Sequence, residues 1–261
     1  MDLNLKGKRA VVCGSTQGIG KAAAIELALL GAHVTLLARE EGKLKEVVKE
    51  LSTHAGQSHD YLVADFNFPE QVKQAIEHSL AKREVHILIN NSGGPPAGQA
   101  IDAQPEDFIK AFTSHLICSQ LLVQAVVPGM KKNAYGRIVN IISTSVKIPI
   151  KGLGVSNTLR GAMASWSKTL SLELASFGIT VNNVLPGSTK TGRIESIIQT
   201  RAEKSGRSPD EIRNEMIAEI PAGRMAEASE VGAVVAFLAS PAAGYINGVS
   251  LLVDGGRTGS L

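Results

Sequence analysis

Gly14-Ser15-Thr16-Gln17-Gly18-Ile19-Gly20 joins a short apolar run, Arg9–Cys13, to an alanine-rich stretch, Ile19–Leu30. A strand, a glycine turn and a helix start, in that order, make an anion site. Gly14 and Gly18 let the backbone turn tightly and approach a pyrophosphate, and Gly20 lets the helix pack close to the strand. The segment from Ser15 and Thr16 to Ile19 leads into the helix start, where unpaired N–H groups and the positive end of the helix dipole favour phosphate. No Gly-Lys-Ser/Thr follows, so this is not a P-loop. The next apolar run, His33–Ala38, ends on Ala38 and Arg39. An acid there would bond a ribose 2′-hydroxyl and repel a 2′-phosphate. Ala38 removes that repulsion and Arg39 can pair with the phosphate, so the expected ligand is NADP(H) in preference to NAD(H). Asp65 and Phe66 follow the third run, where Asp65 either accepts from an adenine amino group or caps the next helix.

The elements that must position these residues alternate. Strands are expected at Arg9–Cys13, His33–Ala38, Asp60–Ala64, His86–Asn90, Arg137–Ile142, Ile179–Leu185 and Ser250–Val253. Helices are expected at Ile19–Leu30, Glu40–His54, Pro69–Ala81, Pro105–Lys131, Leu153–Ala175 and Val231–Ala239. Alternation of this kind implies parallel β-α-β units, an α/β sheet of seven strands with helices on both faces. Repeats, low-complexity stretches and flexible linkers do not interrupt it, so residues 1–261 read as one domain. The irregular part is Ser188–Arg224, which carries Arg193, Arg201, Lys204, Arg207 and Arg213. Excursions at the carboxyl ends of strands form the ligand crevice of such sheets, so a lid is expected at about 188–224, against the alternative of a solvated helical insertion. Gly94-Pro95-Pro96-Ala97-Gly98 is either a stiff wall of the same crevice or a rigid connector.

Composition excludes other classes. With 44% hydrophobic and 20% charged residues the chain has enough apolar surface to fold. Net charge +3 and 4% aromatics argue against nucleic acid or an anionic membrane as partner. No uninterrupted apolar run reaches the roughly 18 residues of a spanning helix, and the N-terminus has no signal-like apolar core. Two cysteines, Cys13 and Cys118, give no disulfide framework and suit a reducing cytoplasm. No metal set is evident.

The pattern resembles the short-chain dehydrogenase/reductase family, near its 3-oxoacyl-carrier-protein reductase and glucose dehydrogenase-like members, from about Leu5 to Gly256. The glycine motif matches, with Cys13 where Thr is usual. Asn90-Asn91-Ser92-Gly93 resembles the Asn-Asn-Ala-Gly motif, which implies Asn91, Ser92 and Gly93 beside the adenosine ribose. Pro186, Gly187, Thr189 and Thr191 resemble the segment that holds the nicotinamide amide, and Val253-Asp254-Gly255-Gly256 the C-terminal turn. The resemblance implies hydride transfer with an alcohol or carbonyl small molecule and a homotetramer packed through two long helices, here with apolar faces at 115–127 and 162–174.

The catalytic positions of that family depart from its pattern. Ser143 matches the serine. Ser156 stands at the tyrosine position, Arg160 at the lysine position and His115 at the asparagine position. A serine hydroxyl does not titrate near the roughly pH 10 of tyrosine, and arginine stays cationic and cannot shuttle protons. Arg160 can still bind ribose hydroxyls or polarise an oxygen. His115, with an ordinary pKa near 6.5, is the nearby group suited to a relay; packing within a subunit interface is its structural alternative. Ser156 and Arg160 have their own, a helix start and a structural or phosphate-binding cation. The expected function is an NADP(H)-dependent oxidoreductase with altered proton transfer. The alternative is a catalytically silent NADP(H)-binding protein, a sensor or oligomer partner. A third reading, a new constellation of Ser143, Ser156 and His115, lacks an orienting carboxylate.

The Ala38-Arg39 pair yields a direct test. Titration calorimetry should find NADP(H) bound more tightly than NAD(H), and Arg39→Ala should cost about tenfold or more of NADP(H) affinity. Equal affinities in the unmodified protein would refute the assignment.

Overall fold

A computed structural model describes residues 1–81 and 83–260. Strand β1 (Arg9–Cys13) leads into helix α1 (Gly18–Leu29), then β2 (His33–Ala38), α2 (Glu41–Glu50), β3 (Asp60–Val63), α3 (Pro69–Leu80) and β4 (Ile87–Asn90). A long helical run follows as α4 (Pro105–Phe112), a π-helical turn at Thr113–Ile117 and α5 (Cys118–Lys132). The second half holds β5 (Gly136–Ile141), α6 (Gly154–Leu174), β6 (Ile179–Pro186), α7 (Gly192–Ser205), α8 (Pro209–Ala218), α9 (Ala228–Ala239) and β7 (Ser250–Val253). All strand pairs are parallel in the order β3-β2-β1-β4-β5-β6-β7. The order reverses between β1 and β4, which opens a crevice at the carboxyl ends of those strands.

The expected alternation is present, with three refinements. The helix expected at Glu40–His54 stops at Glu50, because Leu51 turns to extended backbone. The helix expected as one piece over Pro105–Lys131 contains the π turn at Thr113–Ile117. That whole run, Pro105–Lys132, is long and apolar enough to cross a membrane by length and composition. The count of uninterrupted apolar residues had not signalled this, because scattered polar residues break the run. Its Cys118, Leu122, Val126 and Met130 are fully buried, packed with Val11, Leu88 and Ile138 of the sheet, so it serves as a core helix. The other face of the sheet is covered by α1, α2 and α9 around Leu27, Leu36, Leu44 and Val235. The excursion contains α7 and α8, which bury Ile198, Ile212 and Met216 against each other as a small cluster of their own.

Sheet register is reinforced by a polar row that sequence reading passed over. Asn90, Asn140, Asn183 and Ser250 stand opposite one another on β4, β5, β6 and β7. Asn90 Nδ2 donates to Asn140 Oδ1 at 2.9 Å, Asn140 Nδ2 donates to Asn183 Oδ1 at 3.1 Å, and Asn183 Nδ2 donates to Ser250 Oγ at 3.2 Å. Asn140 Nδ2 also reaches Ser167 Oγ of α6 at 3.1 Å. A one-residue slip would carry each amide to the opposite face and leave its partners unmatched in a dry interior. Asn140→Ala should therefore cost roughly 2–4 kcal/mol, since each buried group left without a partner costs about 1–3 kcal/mol. Urea unfolding measures this, and a loss below about 1 kcal/mol would mean that water replaces the amide.

Candidate active site

The β1–α1 turn is shaped by what it must not carry. Gly14 has φ +57°, and a Cβ there would lie 2.8 Å from the Asn91 side chain. A Cβ on Gly20 would lie 2.2 Å from the Gly14 carbonyl oxygen. Gln17, at the start of α1, makes no side-chain cap and the first turn holds no acid. The leading N–H groups of a 12-residue helix are thus left for a ligand. Ser15 Oγ is buried without a partner among the described residues. These features fit a dinucleotide pyrophosphate.

One cavity of about 620 Å³ runs from this turn across the sheet edge. Gly14, Thr16, Gly18 and Ile19 border it at the turn. Ala38, Arg39, Asp65 and Phe66 border it at the β2 and β3 ends. Glu40 also stands there, unanticipated from sequence, and Lys43 holds its carboxylate at 2.8 Å and keeps its pKa low. Asp65 Oδ1 accepts from the N–H and side chain of Asn67 at 2.9 and 2.8 Å, so part of its role is to fix its own turn.

Asn91, Ser92 and Gly93 line the cavity at its centre, and Pro186, Gly187, Thr189 and Thr191 close it from β6. Ser15, Gly20 and His115 are the sequence-selected residues that do not line it. Gly20 acts by close packing and Ser15 lies beneath the turn.

The four residues that the family resemblance singled out as catalytic separate into two groups. Ser143, Ser156 and Arg160 line the cavity together. Ser143 Oγ accepts from the Ser145 N–H at 3.1 Å, which leaves its own proton for a ligand oxygen. Ser156 lies in the first turn of α6, a 21-residue helix whose start carries no acid, so the positive dipole end faces the same space. Arg160 is buried and donates from Nη1 to the Ile141 carbonyl at 3.2 Å, while its Nε has no partner among the described residues. Burial, and then Arg193 nearby, push the Arg160 guanidinium down to about 10. It remains a cation at neutral pH.

His115 stands behind this wall in the π turn and is 3% exposed. Its Nδ1 shares a 2.5 Å hydrogen bond with Ser92 Oγ. Burial, and then the charge of Arg160, push its pKa down to about 3. The expectation of a relay titrating near 6.5 is therefore corrected: His115 is neutral throughout the physiological range and positions Ser92.

The Gly94–Gly98 segment touches the cavity at Gly94 and serves beyond it as a connector. Gly94 lines the cavity and the Pro95 carbonyl accepts from Arg193 Nη2 at 2.6 Å. Gly98 is tied to the start of α6 by backbone bonds with Gly152 and Gly154. Arg193, Arg201 and Arg257 also border the cavity and were not selected as site residues from sequence, although the basic excursion contained the first two.

Residues 14–258 match the family described as Enoyl-(Acyl carrier protein) reductase. A tropinone reductase homolog of Arabidopsis thaliana is 32% identical over 98% of this chain and 91% of its own length. A 3-oxoacyl-[acyl-carrier-protein] reductase of Haemophilus influenzae is 32% identical over 97% and 98%. Among solved structures, L-sorbose reductase of Gluconobacter frateurii, complexed with NADPH and L-sorbose, superimposes with a TM-score of 0.92 at 28% identity over the whole of both chains. The NADPH in that relative agrees with the expectation drawn from Ala38 and Arg39.

The His115 environment has a measurable pH signature. The unfolded chain binds a proton at about 6.5 and the folded chain only near 3, so the unfolded state binds more protons between these values. Stability therefore falls as pH drops through that window. Between pH 7.5 and 5 the loss is about 2 kcal/mol from this residue. Urea midpoints should show His115→Asn losing less over the same interval than the unmodified protein. Equal losses would show that His115 does not titrate this way.

Proposed function

The chain belongs to the short-chain dehydrogenase/reductase family, and on that premise we propose that it is an NADP(H)-dependent oxidoreductase acting on an alcohol or carbonyl without the family's tyrosine–lysine pair. The observation that carries this reading is the single cavity that joins the glycine turn to Ser143, Ser156 and Arg160. NADPH, when bound, supplies the hydride. Gly14, Thr16 and Gly18 hold its pyrophosphate on the α1 start, and Arg39 its 2′-phosphate. Arg160 Nε, the unpaired buried donor, holds a ribose hydroxyl or the reacting oxygen.

Ser143 and Ser156 donate hydrogen bonds to the carbonyl oxygen of the substrate. As that oxygen gains negative charge, the Arg160 cation and the α6 dipole stabilise it. The alkoxide that results is basic enough to take a proton from a serine hydroxyl, and the serine alkoxide recovers one from solvent water, whose hydroxide is neutralised by bulk buffer. Arg160 cannot supply this proton near neutral pH, because its pKa lies at about 10. Losing a tuned acid costs roughly 10²–10⁴ in rate, so turnover is expected to be slow. Its pH profile should lack an ionisation between about pH 5 and 8, the interval between His115 and Arg160.

A silent NADP(H)-binding protein is the second reading, favoured by the absence of a neutral-range proton donor on the cavity wall among the described residues. The assembly proposed is a homotetramer in the cytoplasm. Exposed Ile109, Ile117 and Leu172 on the long helices and the buried free thiols support it. The 188–224 excursion is proposed as the lid.

NADPH oxidation across a panel of carbonyl compounds, paired with NADPH binding by calorimetry, separates the two readings. Ser156→Tyr made together with Arg160→Lys should raise carbonyl reduction by about tenfold or more, since the tyrosine adds an ionisable hydroxyl and the lysine lowers its pKa. A folded, NADPH-binding double variant with no gain would favour the silent binder.

A further inference from the structure

The outer end of the cavity holds more positive charge than hydride transfer needs. Arg160, Arg193, Arg201 and Arg257 line it, whereas the acids that line the cavity, Glu40 and Asp65, stand with Arg39 at the opposite end. Elsewhere on this side of the molecule arginines are matched to carboxylates. Arg213 makes paired bonds of 2.8 and 2.9 Å to Glu195, and Arg224 two of 2.7 Å to Glu230. Arg207 pairs with Glu215.

The cavity-facing arginines are treated differently. Arg193 donates to the Pro95 carbonyl, which fixes its guanidinium without neutralising it. Arg160 has only the Ile141 carbonyl and an orphaned, buried Nε. The Arg201 carbonyl accepts from Ser205 Oγ at 2.7 Å, but its guanidinium has no hydrogen-bond or ion-pair partner among the described residues. Arg257 is the exception, with Nε bonded to Glu219 at 3.0 Å. Arg160 and Arg193 lie within electrostatic reach of each other, and Arg201 follows about two turns further along α7 on the same cavity lining. Cations brought together in a partly dry space are costly unless an anion enters with them.

We propose that this end of the cavity is an anion subsite, and that the alcohol or carbonyl compound carries a carboxylate or phosphate group received by Arg193 and Arg201, with Arg257 at the rim. The proposal rests on the oxidoreductase reading and names its substrate class. Forked guanidinium donors suit both planar carboxylate and phosphate oxygens. Ile150, Leu153, Ile197 and Met216 line the same space and accommodate a short carbon skeleton between the anion and the reacting oxygen.

The test uses the full-length protein saturated with NADP⁺. Calorimetry compares 2-oxoglutarate with its dimethyl ester, and dihydroxyacetone phosphate with dihydroxyacetone. At least one charged probe should bind about tenfold or more tighter than its uncharged counterpart, and the two arms separate carboxylate from phosphate. Arg201→Gln should erase most of that preference while NADP⁺ affinity stays within about twofold, and Arg201→Lys should restore part of it. No preference in either arm, or equal losses for charged and uncharged probes in Arg201→Gln, would overturn the subsite. Preferred binding of a charged probe with no NADPH oxidation would uphold the subsite and refute the oxidoreductase reading. Failure to bind NADP⁺ would overturn both.

Discussion

The site depends on how closely strand β4 approaches the β1–α1 turn. Asn91 Nδ2 donates to the carbonyls of Cys13 and Gly14 at 3.3 and 3.2 Å, and a Cβ on Gly20 would lie 2.7 Å from that nitrogen. The contact pins the two strands at the point where sheet order reverses. From there the chain continues into Ser92, whose hydroxyl is held by His115, and into Gly94 and Pro95, whose carbonyl accepts from Arg193 of α7. The phosphate end and the reacting end are therefore positioned by one short segment, and a side chain added at either glycine would disturb both.

Within that frame the chemistry is set by fixed charge. The family's tyrosine would titrate, and its lysine would tune that titration. Ser156 and Arg160 instead offer a hydroxyl that does not ionise and a cation that does not release its proton near neutral pH. The histidine that could have compensated is driven neutral by its own burial and by Arg160. Stabilisation of negative charge on the substrate oxygen survives these changes, because it needs donors and dipoles already in place. In the proposed reaction, proton transfer is the weakened step.

Much of this was legible in the sequence. The strand periods, the glycine turn and the Ala38-Arg39 pair report backbone conformation and local charge, which are local properties. The positions of Ser143, Ser156, Arg160 and His115 came from the family resemblance, and the structure places the first three on one cavity wall. Three features were not. The π turn at Thr113–Ile117 adds no residue type that distinguishes it from α-helix, and it contains the His115 that bonds Ser92. The Asn90-Asn140-Asn183-Ser250 row is spread over four strands and exists only in register. The pairing of Arg207 and Arg213 with glutamates, against the unpaired Arg201, separates residues that look alike in one basic stretch.

That last distinction bears on why the active site departs from its family. Arginine at position 160 brings a buried guanidinium within electrostatic reach of the half-buried Arg193, and each is made less basic by burial, Arg160 also by its neighbour. A lysine there could shed its proton to relieve the repulsion, since ammonium groups shift readily when buried. Arginine does so far less readily, so the positive field persists until an anion arrives. In the proposed reading, Ser156 removes the ionising hydroxyl, and Arg160 both gives up proton tuning and keeps a fixed positive charge beside the substrate.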